Sequence, residues 1–198
     1  MAFPILAVLF DLDGVLVNSP LNLPAIKREL FGDAKVFIIE GLEALPESER
    51  AQKSELLLQR ELEAAGRAKL DPSVPDLFAW LEERDLKRGV ITRNARDVVD
   101  LIQSNLGVDF GVVIAREDAP PKPHPACIFE AARKLEVPPQ ACVMVGDFRF
   151  DIEAGKAAGC KTVFVETDEF RHLRPGEDVR IASLGELRGV LESWMREA

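Results

Sequence analysis

Residues 5–16 read ILAVLFDLDGVL, a short apolar run that ends in the polar turn Asp11-Leu12-Asp13-Gly14. Comparable runs, short and rich in β-branched residues, recur at 89–91, 111–115, 142–145 and 162–165. Runs that are apolar throughout are typical of strands buried on both faces of a parallel sheet. The first run therefore predicts a central strand whose carboxyl end carries two aspartates.

Helical patterns lie between and after these runs, at 95–106, 125–135, 151–158 and 184–194. Asn94 is a candidate N-cap for the first of these helices, and Gly159 is a candidate stop for the third. Strands that alternate with helices predict a doubly wound, Rossmann-like α/β fold with a parallel sheet.

The connection between Asp11 and the strand at 89–91 is far longer than the other crossovers. A structureless loop of that length is rare in a compact domain. Residues 19–73 are strongly helical in composition, and turn-forming residues mark their edges at 18–20 and 71–75. We therefore predict an α/β core of residues 1–18 and 74–198, with a small α-helical cap of residues 19–73 inserted after the first strand.

The bulk composition limits the class of protein. The chain has 198 residues, of which 47% are hydrophobic and 30% charged, as in proteins with a folded core. Its net charge of −9 makes nucleic acid and anionic membranes unfavourable partners, because their phosphates would be repelled. No apolar run approaches the ~20 residues that span a bilayer, and the start Met1-Ala2-Phe3-Pro4 lacks the basic residues of a signal peptide. We expect a cytoplasmic protein with Cys127, Cys142 and Cys160 reduced in the core, and its oligomeric state is left open.

Carboxylates and other polar groups gather where the predicted strands end. The first strand ends in Asp11 and Asp13, the second in Thr92-Arg93-Asn94, and the fourth in Asp147, with Asp151 one helical turn later. Ligands of open parallel sheets bind outside these carboxyl ends. A single aspartate after a strand is usually a turn former or a helix cap, but the repetition at several strand ends favours a site. A divalent cation would relieve the repulsion among these carboxylates, and oxygen ligands favour Mg²⁺.

Four stretches, taken in order, resemble the motifs of the haloacid dehalogenase-like superfamily of hydrolases. They are FDLDGVL at 10–16, VIT at 90–92, KPHP at 122–125 and GDFRFD at 146–151. The predicted insert falls where this family carries its cap, between the first and second motifs. The chain looks like a phosphoglycolate phosphatase-like member with a small helical cap.

The resemblance implies a role for each matching carboxylate. Asp11 would be the nucleophile that accepts the phosphoryl group. Asp13 would be general acid to the leaving oxygen and then general base for water, and its backbone carbonyl would bind Mg²⁺. The resemblance also implies that Asp11 and Asp147 ligate the metal, so that the set of metal ligands would be Asp11, Asp13 and Asp147.

The resemblance also implies a set of groups that hold the phosphate. Thr92 would hydrogen-bond the phosphoryl oxygens, and Lys122 would neutralise charge on the phosphoryl group and the nucleophile. Asp151 would hold Lys122 or a metal-bound water. Arg93 and Asn94 could also reach the substrate, although the capping role of Asn94 stays open beside this one.

We expect a phosphatase of a small phosphorylated metabolite. Relatives that cleave carbon–halogen bonds lack the second aspartate, so Asp13 favours phosphate transfer. Two alternatives remain: a phosphotransferase such as a sugar-phosphate mutase, and a non-catalytic binding module on the same scaffold. Phe148 stands where many relatives have a small hydroxyl residue, and the roles of His124 and Arg149 are open, so the substrate is not specified.

Overall fold

The computed structural model describes residues 4–32 and 35–197. The strands in chain order are β1 (Ala7–Phe10), β2 (Val17–Asn18), β3 (Lys69–Leu70), β4 (Lys87–Ile91), β5 (Val112–Ile114), β6 (Cys142–Gly146), β7 (Lys161–Val165) and β8 (Val179–Ile181). The helices are α1 (Leu23–Phe31), α2 (Ile38–Glu43), α3 (Glu47–Ala65), α4 (Val74–Glu82), α5 (Arg96–Leu106), α6 (Ala126–Leu135), α7 (Arg149–Ala158) and α8 (Leu187–Glu197), with 3-10 turns at Pro139–Ala141 and Leu184–Glu186. Residues 1–3, on which part of the expectation of a cytoplasmic protein rests, lie outside the described residues.

One parallel sheet organises the chain, with strand order β5-β4-β1-β6-β7-β8. The chain winds outward from β1 through β4 to β5, then crosses to β6 and winds outward in the other direction. This is the doubly wound fold that the sequence predicts. Its topological switch point lies between β1 and β6, and sheets of this kind bind ligands at the carboxyl ends beside that point.

Both faces of β1 are buried, because it lies between β4 and β6 at the centre of the sheet. Its side chains alternate between two apolar clusters, with Val8 and Phe10 on one face and Ala7 and Leu9 on the other. Helices α4, α5 and α8 cover the first face, and α6 and α7 cover the second. The continuous apolar run of β1 thus follows from its place in the middle layer.

Some elements were not predicted from the sequence. Strands β2 and β3 have two residues each and form an antiparallel pair, too short for a periodic signal. Strand β8 is the edge strand Val-Arg-Ile, whose arginine interrupts the apolar run. Helix α4 begins inside the segment 71–75, because Pro75 occupies its first turn, where proline needs no N–H partner.

The insert, defined as residues 19–73, contains α1, α2 and α3 and ends with β3. Its helices share a small apolar cluster of their own, formed by Ile26, Leu30, Ile39, Leu42 and Leu57. Helix α3 also packs against α5, one of the helices that cover the sheet. The helical content agrees with the composition, while the division into core and cap stays a prediction.

One predicted cap is wrong. The N-cap of α5 is Ala95, and no side chain caps that helix, because the Asn94 amide is engaged by Asp13 instead. Gly159 does end α7, in the left-handed conformation with φ of 81°.

The cysteines are free and buried, as expected. Within the described ranges, no helix combines the length and the apolar character that a bilayer span requires.

Candidate active site

The nucleophile candidate Asp11 directly follows β1 at the carboxyl edge of the sheet. Its backbone N–H donates to the Val145 carbonyl of β6 at 2.8 Å, which prolongs the β1–β6 pairing by one residue. The carboxylate oxygen Oδ1 accepts from the Leu12 N–H at 2.8 Å and from the Lys122 ammonium at 2.8 Å. No described residue donates to Oδ2, so this oxygen has lone pairs available for a metal or a substrate.

Lys122 lies between two carboxylates. Its Nζ is 2.8 Å from Asp11 Oδ1 and 2.6 Å from Asp151 Oδ1, and it donates to the Ile91 carbonyl at 2.7 Å. The side chain is only 2% exposed, so burial alone would lower its pKa, but the charges of Asp11 and Asp151 raise the pKa above its usual range. All three ammonium hydrogens have acceptors, and the group stays cationic.

Three carboxylates converge beside this lysine. Asp11, Asp147 and Asp151 each offer an oxygen within 4.8 Å of the others. Burial, followed by the charges of Asp11 and Asp151, raises the pKa of Asp147 to about 9. Burial also raises the pKa of Asp151 to about 6, although Lys122 opposes that shift. The oxygen-only donor set and the unfavourable crowding of negative charge fit a divalent cation such as Mg²⁺.

Two glycines allow the carboxylates to approach the backbone this closely. Gly14 has φ of 79°, and a Cβ atom there would overlap the Asp147 carboxylate. A Cβ at Gly146 would overlap the Asp151 side chain. The glycines of the first and fourth motifs therefore provide the space in which the carboxylates meet.

Asp13 lies outside this group of three and has different partners. Its carboxylate accepts one hydrogen bond from the Ser19 hydroxyl and another from the Asn94 Nδ2 at 2.6 Å. Burial raises its pKa, while both hydrogen bonds oppose the shift. Thr92 is buried, and its hydroxyl accepts from the Asn94 N–H at 3.1 Å. The sequence offers no signal for Ser19 beyond its place at the predicted edge of the insert.

Two ion pairs join the insert to the loops that follow β4 and β5. Arg93 Nη2 is 2.7 Å from Glu40 of α2, and its Nη1 donates to the Lys122 carbonyl. Arg116 is 2.8 Å from Glu61 of α3. Burial raises the pKa of Glu61, although the Arg116 charge opposes that shift. Arg93, a predicted substrate-binding residue, is therefore engaged by the insert, and neither acidic partner was predicted.

An aromatic cluster lies where the insert meets the fourth motif. Its ring centroids are 4.8 Å apart for Phe37 and Phe150, 4.9 Å for Phe148 and Phe150, and 4.8 Å for Phe148 and Phe170. We call these four side chains the phenylalanine cluster. The Phe148 ring, which departs from the common motif, thus packs among aromatic side chains from three segments.

His124 takes no part in the carboxylate group. Its Nδ1 accepts from the Ala126 N–H at 3.1 Å, at the start of α6. Its observed contact is therefore local to the loop before α6.

Comparison with known proteins identifies the family. The family model for haloacid dehalogenase-like hydrolases matches residues 25–159. A haloacid dehalogenase-like hydrolase domain-containing protein of Arabidopsis thaliana is 25% identical, with 94% of this chain and 83% of the relative covered. Phosphoglycolate phosphatase of Nitrosococcus oceani is 28% identical, with 93% and 95% covered. N-acetylmuramic acid 6-phosphate phosphatase of Pseudomonas putida is 27% identical, with 94% and 96% covered.

Solved structures agree with the fold. A hydrolase from Pseudomonas syringae superposes with a TM-score of 0.78 at 21% identity, covering 94% of this chain and 98% of that one. β-Phosphoglucomutase from Clostridium difficile superposes with a TM-score of 0.77 at 20% identity, covering 98% of both chains. At these identities the structures establish the fold alone. The family model spans more than half of the sequence, and the relatives from Nitrosococcus oceani and Pseudomonas putida are phosphatases, so the chain belongs to the haloacid dehalogenase-like hydrolases and is a phosphatase.

Proposed function

We propose that this phosphatase hydrolyses a small phosphorylated metabolite with Mg²⁺, through an aspartyl phosphate on Asp11. The observation that carries the proposal is the Asp11 carboxylate, held through Oδ1 by buried Lys122 inside a group of three carboxylates. A carboxylate acts as a nucleophile towards phosphorus when positive charge surrounds the phosphoryl group and holds it in line.

The proposed metal ligands are the Asp11 and Asp147 side chains and the Asp13 backbone carbonyl. Asp151 lies close enough to contribute directly or to hold a water of the metal, while it also binds Lys122. Mg²⁺ in this position would neutralise negative charge on the phosphate and on the carboxylates that surround it.

The proposed chemistry has two steps. In the first, an Asp11 oxygen bonds to phosphorus as the ester P–O bond breaks, and Asp13 gives its proton to the leaving oxygen. In the second, Asp13 takes a proton from a water that attacks phosphorus, which releases inorganic phosphate and regenerates Asp11. Burial raises the pKa of Asp13 above its ordinary value, which favours the protonated form that the first step needs.

The remaining residues would bind the phosphoryl group and the substrate. Lys122 contacts the Asp11 carboxylate, and Thr92 directly follows β4, the strand beside β1, so we assign the phosphoryl oxygens to these two residues. We assign contacts with the rest of the substrate to Arg93 and Asn94. In the present arrangement Arg93 pairs with Glu40, so a substrate group that binds Arg93 would have to displace that carboxylate.

We propose that residues 19–73 act as a cap that selects the substrate and excludes water. Two ion pairs and the phenylalanine cluster bring the insert against the loops of the site, which supports this role. Phosphoglycolate and N-acetylmuramic acid 6-phosphate, named for the relatives, are the first substrates to test.

The test measures phosphate release from a panel of phosphorylated metabolites. We expect Mg²⁺-dependent release that a chelator abolishes, and an Asp11→Asn variant without turnover. Acid quenching during turnover should leave phosphate on a peptide that contains Asp11, as detected by mass spectrometry. The matched control is Asp100→Asn, which changes an exposed carboxylate on α5. Full activity without metal, or normal turnover by Asp11→Asn, would contradict the proposal, and transfer of phosphate to a sugar would identify a phosphotransferase.

A further inference from the structure

We propose that Arg149 recognises a second anionic group on the substrate, so that the natural substrate is a phosphate ester that also carries a carboxylate or a second phosphate. The proposal rests on the proposed function and specifies its substrate class. It assigns a role to a residue of the fourth motif that the chemistry of phosphate transfer does not use.

Arg149 lies at the edge of the site. It is the first residue of α7, two positions after Asp147. Its guanidinium carbon is 5.1 Å from the Phe150 ring centroid, and the Arg93 guanidinium is 5.0 Å from the same centroid. The two guanidinium groups are therefore at most about 10 Å apart. Since Arg93 also donates to the Lys122 carbonyl, this ring connects Arg149 to the phosphate-binding residues.

The charges of these two arginines are balanced differently. Glu40 neutralises Arg93 at 2.7 Å. Arg149 is exposed, and among residues 4–32 and 35–197 no carboxylate lies within ion-pair distance of its guanidinium and no acceptor takes a hydrogen bond from it. Within the part of the chain that the structure describes, Arg149 thus presents a positive charge without a counter-ion beside a site that receives anions.

The phenylalanine cluster holds this charge in place. The guanidinium lies over Phe150 and, at 5.4 Å, over Phe37 of the insert. Stacking engages the face of a guanidinium and leaves the N–H groups along its edge free to donate. An arginine restrained in this way loses less conformational entropy when it binds a carboxylate or phosphate in bidentate fashion. Phe37 and Phe150 are therefore positioning residues for Arg149.

Two other roles of Arg149 would give different experimental results. If Arg149 only attracts phosphate electrostatically, its removal would weaken the binding of all phosphate esters to the same extent. If it only fastens the insert to α7, its removal would lower thermal stability and affect all esters alike. Recognition of a second anion requires a change in the ratio between substrates.

The experiment compares esters that differ in one anionic group. One pair is 3-phosphoglycerate and glycerol 3-phosphate, in which a carboxylate replaces a hydroxymethyl group. The other pair is the bisphosphate and the monophosphate of propane-1,3-diol. For the wild-type protein with Mg²⁺, kcat/KM should favour the more anionic member of at least one pair, and the pair that shows the preference identifies the second anion.

Arg149→Met should lower that preference by roughly 10–100-fold, the range expected when a charge-assisted hydrogen bond is lost, and the change should lie mainly in KM. Arg149→Lys keeps the charge but loses the planar edge, so it should recover only part of the preference. Phe37→Leu, which leaves Arg149 in place, should also lower the preference. Arg133→Met is the matched control, because it removes an exposed arginine near the far end of α6, and it should leave the ratio unchanged.

A second readout does not require turnover. Calorimetric titration of Mg²⁺-loaded Asp11→Asn with the same esters, with and without Arg149→Met, measures the preference as a ratio of Kd values. An unchanged ratio in Arg149→Met, or equal losses on all four esters, would overturn the role of Arg149 while leaving the phosphatase proposal intact. Absence of phosphate release from every ester by the wild-type protein would instead overturn the proposed function, and this inference with it.

Discussion

Asp147→Asn should make the metal-free protein more stable while it removes the response to Mg²⁺. In the folded chain the pKa of Asp147 is raised to about 9 from an ordinary value of 3.8, first by burial and then by the charges of Asp11 and Asp151. Folding therefore favours the protonated form, and the free energy of unfolding falls as pH rises from about 4 towards 9. An asparagine carries no charge, and its amide can donate to the neighbouring carboxylates.

The magnitude follows from the shift. Each pH unit between the two pKa values costs about 1.4 kcal/mol, so the upper bound at pH 7 is about 4 kcal/mol. Relaxation and water entry reduce such penalties, and we expect a gain of roughly 1–3 kcal/mol at pH 7–8. For a chain of this length, that gain corresponds to a rise in Tm of roughly 2–10 °C. The gain should shrink towards pH 5, where the wild-type carboxyl group also folds in its protonated form at little cost.

The assay is thermal unfolding at pH 5 and pH 8, with a chelator and with excess Mg²⁺. Wild-type protein should be stabilised by Mg²⁺ through mass action, and Asp147→Asn should lose most of that response. Asp100→Asn serves as the control for removal of an exposed carboxylate. The reasoning is refuted if metal-free Asp147→Asn is no more stable than the wild type at pH 8, or if Mg²⁺ stabilises both proteins equally.

Three further predictions concern the acid, a glycine and the insert. Asp13→Asn should slow hydrolysis of alkyl phosphates by ~10²–10⁴-fold, but slow an activated aryl phosphate much less, and equal losses in steady-state kinetics would contradict the assignment of the acid. Gly14→Ala would force a Cβ into the Asp147 carboxylate, so calorimetry should show weaker Mg²⁺ binding, whereas Gly189→Ala, with open space around it on α8, should not change binding. Arg116→Met should lower the free energy of unfolding by about 1–3 kcal/mol in urea titrations, because the buried Glu61 carboxylate of the insert would lose its charged partner, and an unchanged midpoint would show that the pair adds no stability.

The sheet could be predicted because its central strands are apolar on both faces. The five predicted strands are confirmed, as is the doubly wound arrangement. Strand β8 was not predicted, because an edge strand needs no continuous apolar run. Arg180 in its middle is half-buried among acidic partners. A polar residue can occupy a strand of this kind only because residues distant in the sequence pair with it, and a local window of sequence does not contain those residues.

The sequence predicts where the site lies in the fold, but not which of its side chains contact one another. The carboxyl ends of parallel strands share an edge, so the sequence predicts that Asp11, Asp13, Asp147 and Asp151 lie near one another. Which carboxylates actually meet depends on side-chain directions: Asp151 joins the group of three, while the Asp13 carboxylate turns to Ser19 and Asn94. The roles proposed for these residues stay predictions.

Contacts between the insert and the rest of the chain could not be predicted at all. Glu40 and Glu61 look in the sequence like ordinary solvated helix residues, yet one pairs with Arg93 and the other with Arg116. Their partners are set by how α2 and α3 rest on the loops after β4 and β5. No periodic pattern encodes that placement, because among the described residues α2 and α3 each make a single ion pair with these loops.

The short pairing of β2 with β3 has a consequence for how this chain can diversify. Val17 pairs with Leu70, and the Asp71 N–H donates to the Leu16 carbonyl at 2.9 Å, so the two ends of the insert are neighbours. Lengthening a closed loop is inexpensive, about 0.6 kcal/mol for each doubling of its length. A module of another size can therefore replace the insert at this two-residue ladder without displacing β1. With the insert selecting the substrate, as we propose, substrate choice can evolve at one junction while the strand that leads to Asp11 is inherited unchanged.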